Sequence, residues 1–371
     1  MKKMSGIIFS NVYDNEFGQL TANRTVASLP FGGRYRQIDF ALSNMANSNI
    51  TSIGVITKYN YESLMEHMGS CEEWDLNHKN GGVTIIPPYA FGMKGVYHGK
   101  LEALYNALRF LKSLSTDYLV LSDTITICNI DYSEILKEHI KSEKDITSIV
   151  YALPCEIENN KSVYELDAEG RVKSILVNCR GEVGDIVGLG MYIMNREALI
   201  GAVENCIEAG FCHFEKDFIQ RLFNKGTLSV NIYKYNGVVL RNSDIPTFLE
   251  NNLLLADEDI RNGIFKSESP IYTKVRDEIP TFYGKNSSVD ESIIADGCYI
   301  DGEVVQSTIF RNVKIEKGAK VVNSVIMQGT KICQGAYVKN VIIDTDATIT
   351  ENTKLIGSKN APVLISKGET I

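Results

Sequence analysis

From residue 5 onward the chain alternates short apolar runs with longer amphipathic stretches. SGIIFS (5–10), SIGVITK (52–58), DYLVLSD (117–123), DITSIVYAL (145–153), VGLGMYIM (187–194) and LSVNIYKY (228–235) are dense in Val, Ile, Leu, Tyr and Met. Several are nearly continuous apolar runs, as expected of strands buried on both faces. Between them lie IDFALSNMANSN (38–49), YNYESLMEHMG (59–69), KLEALYNALRFLKSL (100–114) and SEILKEHIKSEK (133–144). In the third, Leu101, Leu104, Tyr105, Leu108 and Leu111 recur at helical spacing and mark one apolar face. Repeated strand–helix–strand units predict an α/β domain with a mostly parallel sheet and helices on both faces. Ligands of such sheets bind at the carboxyl ends of the strands, which directs attention to the loops after Phe9, Thr57 and Ser122.

Residues 244–262 read as a helix opened by Asp244 as N-cap and by Pro246. A linker-like segment follows. Near Ser288 the pattern changes. Ile309, Ile315 and Val321 are six apart, as are Ile326, Ile332 and Val338, and Ile343, Ile349 and Leu355. Each triplet starts 17 residues after the last, so one coil has three faces of six, six and five residues. Gly297, Asn312, Gly318, Gly329, Gly335, Asp346 and Asn352 stand at turn positions about three residues before such aliphatics. A hexapeptide-type repeat of this kind predicts a parallel β-helix with one aliphatic per face stacked inside a triangular prism. The expected organisation is an α/β domain over 1–250, a helix and linker over 251–287, and the β-helix over 288–371.

Composition narrows the partners. A net charge of −8 on 371 residues, with no polybasic block, offers no footprint for nucleic acid or an anionic membrane. The apolar run after MKKMSG breaks off at Phe9, too short for a signal sequence or a membrane span, and the expectation is a cytoplasmic protein. Eight scattered cysteines without a CxxC pair read as free thiols, and the five histidines do not cluster with them as zinc ligands.

The stretch Pro30-Phe31-Gly32-Gly33-Arg34-Tyr35-Arg36-Gln37-Ile38-Asp39-Phe40-Ala41-Leu42-Ser43-Asn44 resembles the PFGGKYRIIDFALSN motif of the glucose-1-phosphate adenylyltransferase (ADP-glucose pyrophosphorylase) family. Ile53-Gly54-Val55-Ile56-Thr57-Lys58-Tyr59, Asn129-Ile130-Asp131-Tyr132 and Gly190-Met191-Tyr192-Ile193 are similar to shorter pieces of that family. The resemblance covers essentially the whole chain. It implies a Rossmann-like nucleotidyltransferase domain followed by a left-handed β-helix, and adenylyl transfer from ATP to glucose 1-phosphate with Mg²⁺.

That chemistry needs a glycine-rich loop for the triphosphate, a basic side chain, metal-holding carboxylates and a sugar-phosphate pocket. The family's AGGxGxR loop corresponds to Phe9-Ser10-Asn11-Val12-Tyr13-Asp14-Asn15, and its RAKPA lysine to Val26. Side chains with Cβ atoms restrict positive φ and hold phosphate away, and Asp14 and Glu16 add negative charge. Arg24 is retained. Asp123 matches the first metal aspartate, with a strand-end turn as its alternative role, and Arg241 falls on the second. Tyr97, His98 and Gly99 match the start of the YRGTADA motif, whereas Lys100 replaces its threonine. His98 and Lys100 read foremost as surface residues, with an anion-attracting pair as the alternative.

The candidate substrate-binding residues, all vestigial, are Arg24, Gly32, Gly33, Arg34, Arg36, Tyr97, His98 and Gly99. Asp123 is the one vestigial catalytic or metal candidate. The resemblance points to the divergent D-type subunit of bacterial glycogen synthesis. It implies a non-catalytic or weakly catalytic partner of a catalytic subunit in a heterotetramer, with a homo-oligomer possible when alone. Mg²⁺ then belongs to the active partner, and no cofactor is assigned to this chain. Arg34 and Arg36 read foremost as salt-bridging or interface residues, with binding of an anionic effector as the alternative. The alternatives are an active adenylyltransferase with a divergent ATP loop and, from another class, a β-helix acyltransferase. The latter is disfavoured because all five histidines precede the β-helix.

Overall fold

The computed structural model describes residues 3–78, 81–88, 96–154 and 157–371. Met4–Phe9 is buried along its whole length. It pairs in parallel with Ser52–Ile56 on one side and Tyr118–Asp123 on the other, and Gly82–Ile86 extends the parallel region. The register brings Phe9, Ile56 and Asp123 to one carboxyl edge. Period-two alternation sends neighbouring side chains to opposite faces. Ile8, Ile53 and Val55 accordingly join one core cluster, while Ile7, Leu119 and Leu121 join another.

Beyond Tyr118–Asp123 the sheet becomes mixed. Ile186–Asn195 runs antiparallel to both Tyr118–Asp123 and Ile146–Ala152, and Val230–Lys234 pairs in parallel with Ile146–Ala152. An antiparallel hairpin, Ile157–Leu166 with Val172–Gly181, forms the far edge. The hydrophobic pattern did not predict it, because Val172–Gly181 is mostly exposed or half-buried, with Ile175 and Gly181 its buried positions, and carries little continuous apolar signal. The 100–114 stretch forms two helices, Lys100–Asn106 and Leu108–Ser113, separated at Ala107. Asp244 caps Ile245–Leu254 as its sequence position predicts, accepting the Thr247 N–H at 2.9 Å. Cys155 lies outside the described residues, and Cys71, Cys128, Cys206, Cys212, Cys298 and Cys333 are free thiols.

From Phe282 the chain winds into three parallel sheets of five strands each. Ile309, Ile326 and Ile343 stack in register, as do Ile315, Ile332 and Ile349, and Val321, Val338 and Leu355. All but Leu355, in the last coil, are buried. The predicted turn residues Gly297, Asn312, Gly318, Gly329, Gly335, Asp346 and Asn352 all take positive φ. A Cβ on Gly335 would stand 2.4 Å from Asn352 Oδ1 in the next coil. A glycine therefore sits beneath an asparagine whose side chain fills the space above it. A further corner is turned by Glu291, Gln306, Asn323 and Asn340, again at positive φ. The turn pattern did not mark this corner.

The two parts share a core. Phe17, Phe31, Phe40, Phe248 and Leu249 pack with Phe310, Val325, Met327 and Ile342 of the β-helix. The Thr308 hydroxyl donates to the Asn252 carbonyl at 2.9 Å across the same junction. Ile332 is fully buried inside the prism. We expect Ile332→Ala to lower unfolding free energy by about 2–5 kcal/mol, read from the midpoint of guanidinium denaturation.

Candidate functional site

Asp123 ends a central strand and is fully buried. The backbone makes room for its carboxylate. Ile186–Asn195 carries a register shift between Gly188 and Met191, and a Cβ on Gly190 would stand 2.2 Å from Asp123 Oδ2. Irregularities of this kind re-aim a strand beside a site. Facing the carboxylate is Lys100, the first residue of its helix. The ammonium lies 2.9 Å from Asp123 Oδ1 and donates to Oδ2 at 3.2 Å and to Glu215 Oε1 at 2.5 Å. Tyr13 donates its hydroxyl to Asp123 Oδ2 at 3.2 Å, and Arg241 Nη2 donates to the Tyr13 oxygen at 3.3 Å.

The placement of Lys100 corrects the surface reading, since it is 5% exposed. Burial alone would lower its pKa, but the Asp123 and Glu215 carboxylates outweigh burial and hold it well above the ordinary lysine value. Burial likewise opposes the charge of Arg241, and the phenol of Tyr13 and carboxylate of Asp123 restore it, so its pKa is raised. Burial, and then Asp123, push the Tyr13 hydroxyl up to about 12. Asp123 and Glu215 are thus matched by Lys100 and Arg241. A divalent metal does not fit this arrangement, because the oxygens it would need already bind an ammonium and a phenol. Among the described residues no group of three or more His, Cys, Asp or Glu is placed to hold a metal.

The segment matching the family's ATP loop is closed by its own side chains. Asn11 Oδ1 accepts from the Ser10 hydroxyl and the Lys58 N–H, both at 2.8 Å. Asp14 is buried, takes the Val26 N–H at 2.8 Å and is also held by the Asn11 amide. The position of the family's lysine therefore has its backbone tied to a carboxylate and its own side chain in the core. Burial lifts Asp14 to about 6 despite the opposing hydrogen bonds from Val26 and Asn11.

The predicted substrate residues fall in two places. His98 and Gly99 line a cavity of about 270 Å³ with Tyr13, Lys100, Glu215 and Arg241. Tyr97 packs in the core with the Lys58 ammonium 5.6 Å from its ring centre. The others sit at the junction with the β-helix. Arg24, Gly33, Arg34 and Arg36 line a separate cavity of about 220 Å³ with Lys274, Arg276, Arg311 and Lys367. Gly32 gives its N–H to Asn252 at 3.0 Å, and a Cβ on Gly33 would touch Ile293 at 3.3 Å. Arg24 is ion-paired with Asp344 of the β-helix. Arg36 donates to the Ser63 carbonyl at 2.7 Å, and burial lowers its pKa to about 10. Five arginines and two lysines face Glu66 and Asp346 here, so the cavity has a strong excess of positive charge. Lys274, Arg276, Arg311 and Lys367 come from the linker and β-helix, and no local spacing signalled them. Glu215 was equally silent in sequence, since one Glu in a helical stretch carries no pattern.

This is a nucleotidyl transferase α/β domain fused to a hexapeptide-repeat, left-handed β-helix. Residues 16–236 match the Nucleotidyl transferase family, and residues 279–361 match the family described as GlmU-like, C-terminal hexapeptide. The chain is 34% identical over 370 residues to "Glycogen biosynthesis protein GlgD" of Bacillus subtilis (strain 168), covering 99% of this chain and 96% of the relative. It is 33% identical over 320 residues to the protein of the same name from Geobacillus stearothermophilus, covering 86% and 83%. It is 29% identical over 376 residues to the glucose-1-phosphate adenylyltransferase of Bacillus thuringiensis (strain Al Hakam), covering 99% of both. The chain belongs to the glucose-1-phosphate adenylyltransferase family, as a divergent member of the GlgD type. Among the described residues no helix is long and apolar enough to cross a membrane.

Two measurements probe this site. Gly190→Ala places a methyl group on the Asp123 carboxylate at a residue with φ of 75°. We expect it to cost about 2–4 kcal/mol in chemical denaturation. Asp14 has a folded pKa above its unfolded one, so the folded state holds the extra proton. Its contribution to stability is fully present below about pH 4 and is lost as pH rises through about 6, an effect of order 3 kcal/mol. A urea midpoint series from pH 4 to 7 should show this fall in the parent chain and a flatter profile in Asp14→Asn.

Proposed function

We propose that this chain is a non-catalytic or weakly catalytic regulatory subunit of glucose-1-phosphate adenylyltransferase in glycogen biosynthesis. It acts in the cytoplasm on a catalytic partner, in a heterotetramer, and the partner carries the Mg²⁺ and makes ADP-glucose from ATP and glucose 1-phosphate. The observation that carries this reading is the ammonium of Lys100 on Asp123 and Glu215, with Arg241 behind it. Phosphoryl chemistry relies on positioning and on cations that neutralise charge developing on the substrate. Here the fixed cations are spent on the chain's own carboxylates, and the loop for the triphosphate is tied shut by Asn11 and Asp14.

The cation-lined cavity supports a regulatory role, because a phosphate-bearing effector seated there touches both parts of the chain at once. Binding that favours one arrangement of the two parts biases the partner's active conformation through the subunit contact.

The test is ADP-glucose formation with Mg²⁺ by this chain alone, by the cognate catalytic subunit alone, and by the two co-expressed. The expected result is no turnover alone, a co-purifying complex, and a change of about fivefold or more in the partner's rate, apparent affinity or effector response. Turnover by this chain alone, abolished by Asp123→Asn, overturns the proposal in favour of an active enzyme with a divergent loop.

A further inference from the structure

We propose that the Lys100 ammonium is the resident cation of the strand-end site, occupying the point where Asp123 and Glu215 would otherwise hold a divalent metal, and that removing it uncovers a metal site. The inference rests on the regulatory reading only in taking this carboxyl edge as the place of the family's lost metal. It adds that, with Arg241 at the family's second aspartate position, Asp123 and Glu215 together still offer oxygens for a cation, masked by one side chain.

The geometry is specific. Three carboxylate oxygens from two residues surround the Nζ atom, at 2.9 and 3.2 Å from Asp123 and 2.5 Å from Glu215. The Phe9 ring closes another side, with its centre 5.4 Å from the ammonium. The adjoining cavity of about 270 Å³ leaves room for water as further ligands. Oxygen donors from carboxylates and water are what Mg²⁺, Mn²⁺ and Ca²⁺ take, at about 2.0–2.6 Å.

The backbone holds lysine and carboxylate together independently of their charges. A Cβ on Gly99 would stand 2.1 Å from the Cys212 carbonyl, and the Leu101 N–H donates to that carbonyl at 3.0 Å. Lys100 leads from this contact on one segment, and Glu215 follows three residues later on the other. The juxtaposition of Nζ with Glu215 is therefore built into the crossing of two chain segments. Charge balance points the same way. Two carboxylates against Lys100 and Arg241 leave the parent site with no net charge to offer a metal. Without Lys100, two carboxylates face Arg241 alone, and the buried excess attracts a cation.

The experiment uses the full chain and Mn²⁺ as the probe, with binding followed by electron paramagnetic resonance and stability by thermal unfolding. The parent chain should show no Mn²⁺ binding that Asp123→Asn removes. Lys100→Ala should bind one Mn²⁺ and gain on the order of 3–5 °C in Tm at a hundredfold excess over its Kd. Both effects should vanish in Lys100→Ala with Asp123→Asn. Should Lys100→Ala fold only when Mn²⁺ is supplied, that dependence counts in favour. Should it not fold at all, Lys100→Gln, which removes the charge and keeps most of the stem, takes its place in the same assay. Two results overturn the proposal: Asp123-dependent Mn²⁺ binding by the parent chain, or a folded Lys100 variant with none. Neither result depends on a partner subunit, so each is separable from the outcome of the turnover assay.

Discussion

A carboxylate at the end of a central strand cannot stay ionised out of water without a partner, and much of this protein's site follows from how Asp123 meets that demand. Its two oxygens take the Lys100 ammonium and the Tyr13 hydroxyl. Tyr13 is set by Arg241, and Lys100 is shared with Glu215. The network ties together the first loop, the start of a helix, the central strand and the short strand Leu240–Arg241. Removing one member of such a buried set leaves a charge without compensation, at a cost of about 3–5 kcal/mol. The site is thus an integral part of the domain's structure.

Closure of the first loop obeys the same logic with weaker partners. A phosphate-binding loop leaves backbone N–H groups free to meet an anion. Here Asp14 takes the Val26 N–H and Asn11 takes the Lys58 N–H, so the loop's own side chains anchor it to the neighbouring backbone. The cations of the junction cavity are different. Arg36 and Lys274 donate to backbone carbonyls, and the buried Arg311 leaves its Nε without a partner among the described residues. Positive charge is neutralised where the family does its chemistry and left in excess where the α/β domain meets the β-helix.

That meeting place explains the persistence of the PFGGRYRQIDFALSN stretch beside the altered loop. Its turn is wedged between Asn252, Leu255 and the first coils of the β-helix, and its aromatic residues are central to the shared core. Phe31 and Phe40 pack edge to face at 5.8 Å, and Tyr35 stacks on Phe265 at 5.0 Å. The motif joins the domains whether or not nucleotide is bound. Changes in the loop nearby leave its packing duties untouched.

The sequence by itself determined the elements whose signals are local or periodic. Continuous apolar runs marked most of the buried strands though not their direction, Asp244 marked a helix start, and the 6-6-5 spacing from Ile309 to Leu355 marked the prism and most of its left-handed turns. It also marked where the chain departs from the family's motifs, because those departures sit inside otherwise matching stretches. Tertiary structure alone decided what the replacements do. Lys100 read as a surface residue because nothing along the chain reveals Asp123, 23 residues on, or Glu215, 115 residues on. Arg24, Arg34 and Arg36 read as vestigial substrate candidates, with ion-pair, interface or effector duty also open to Arg34 and Arg36, and only the fold brought Arg311, Asp344 and Lys367 of the β-helix around them. Periodicity is a property of neighbours in sequence, whereas charge compensation is a property of neighbours in space, and only the folded chain brings those together.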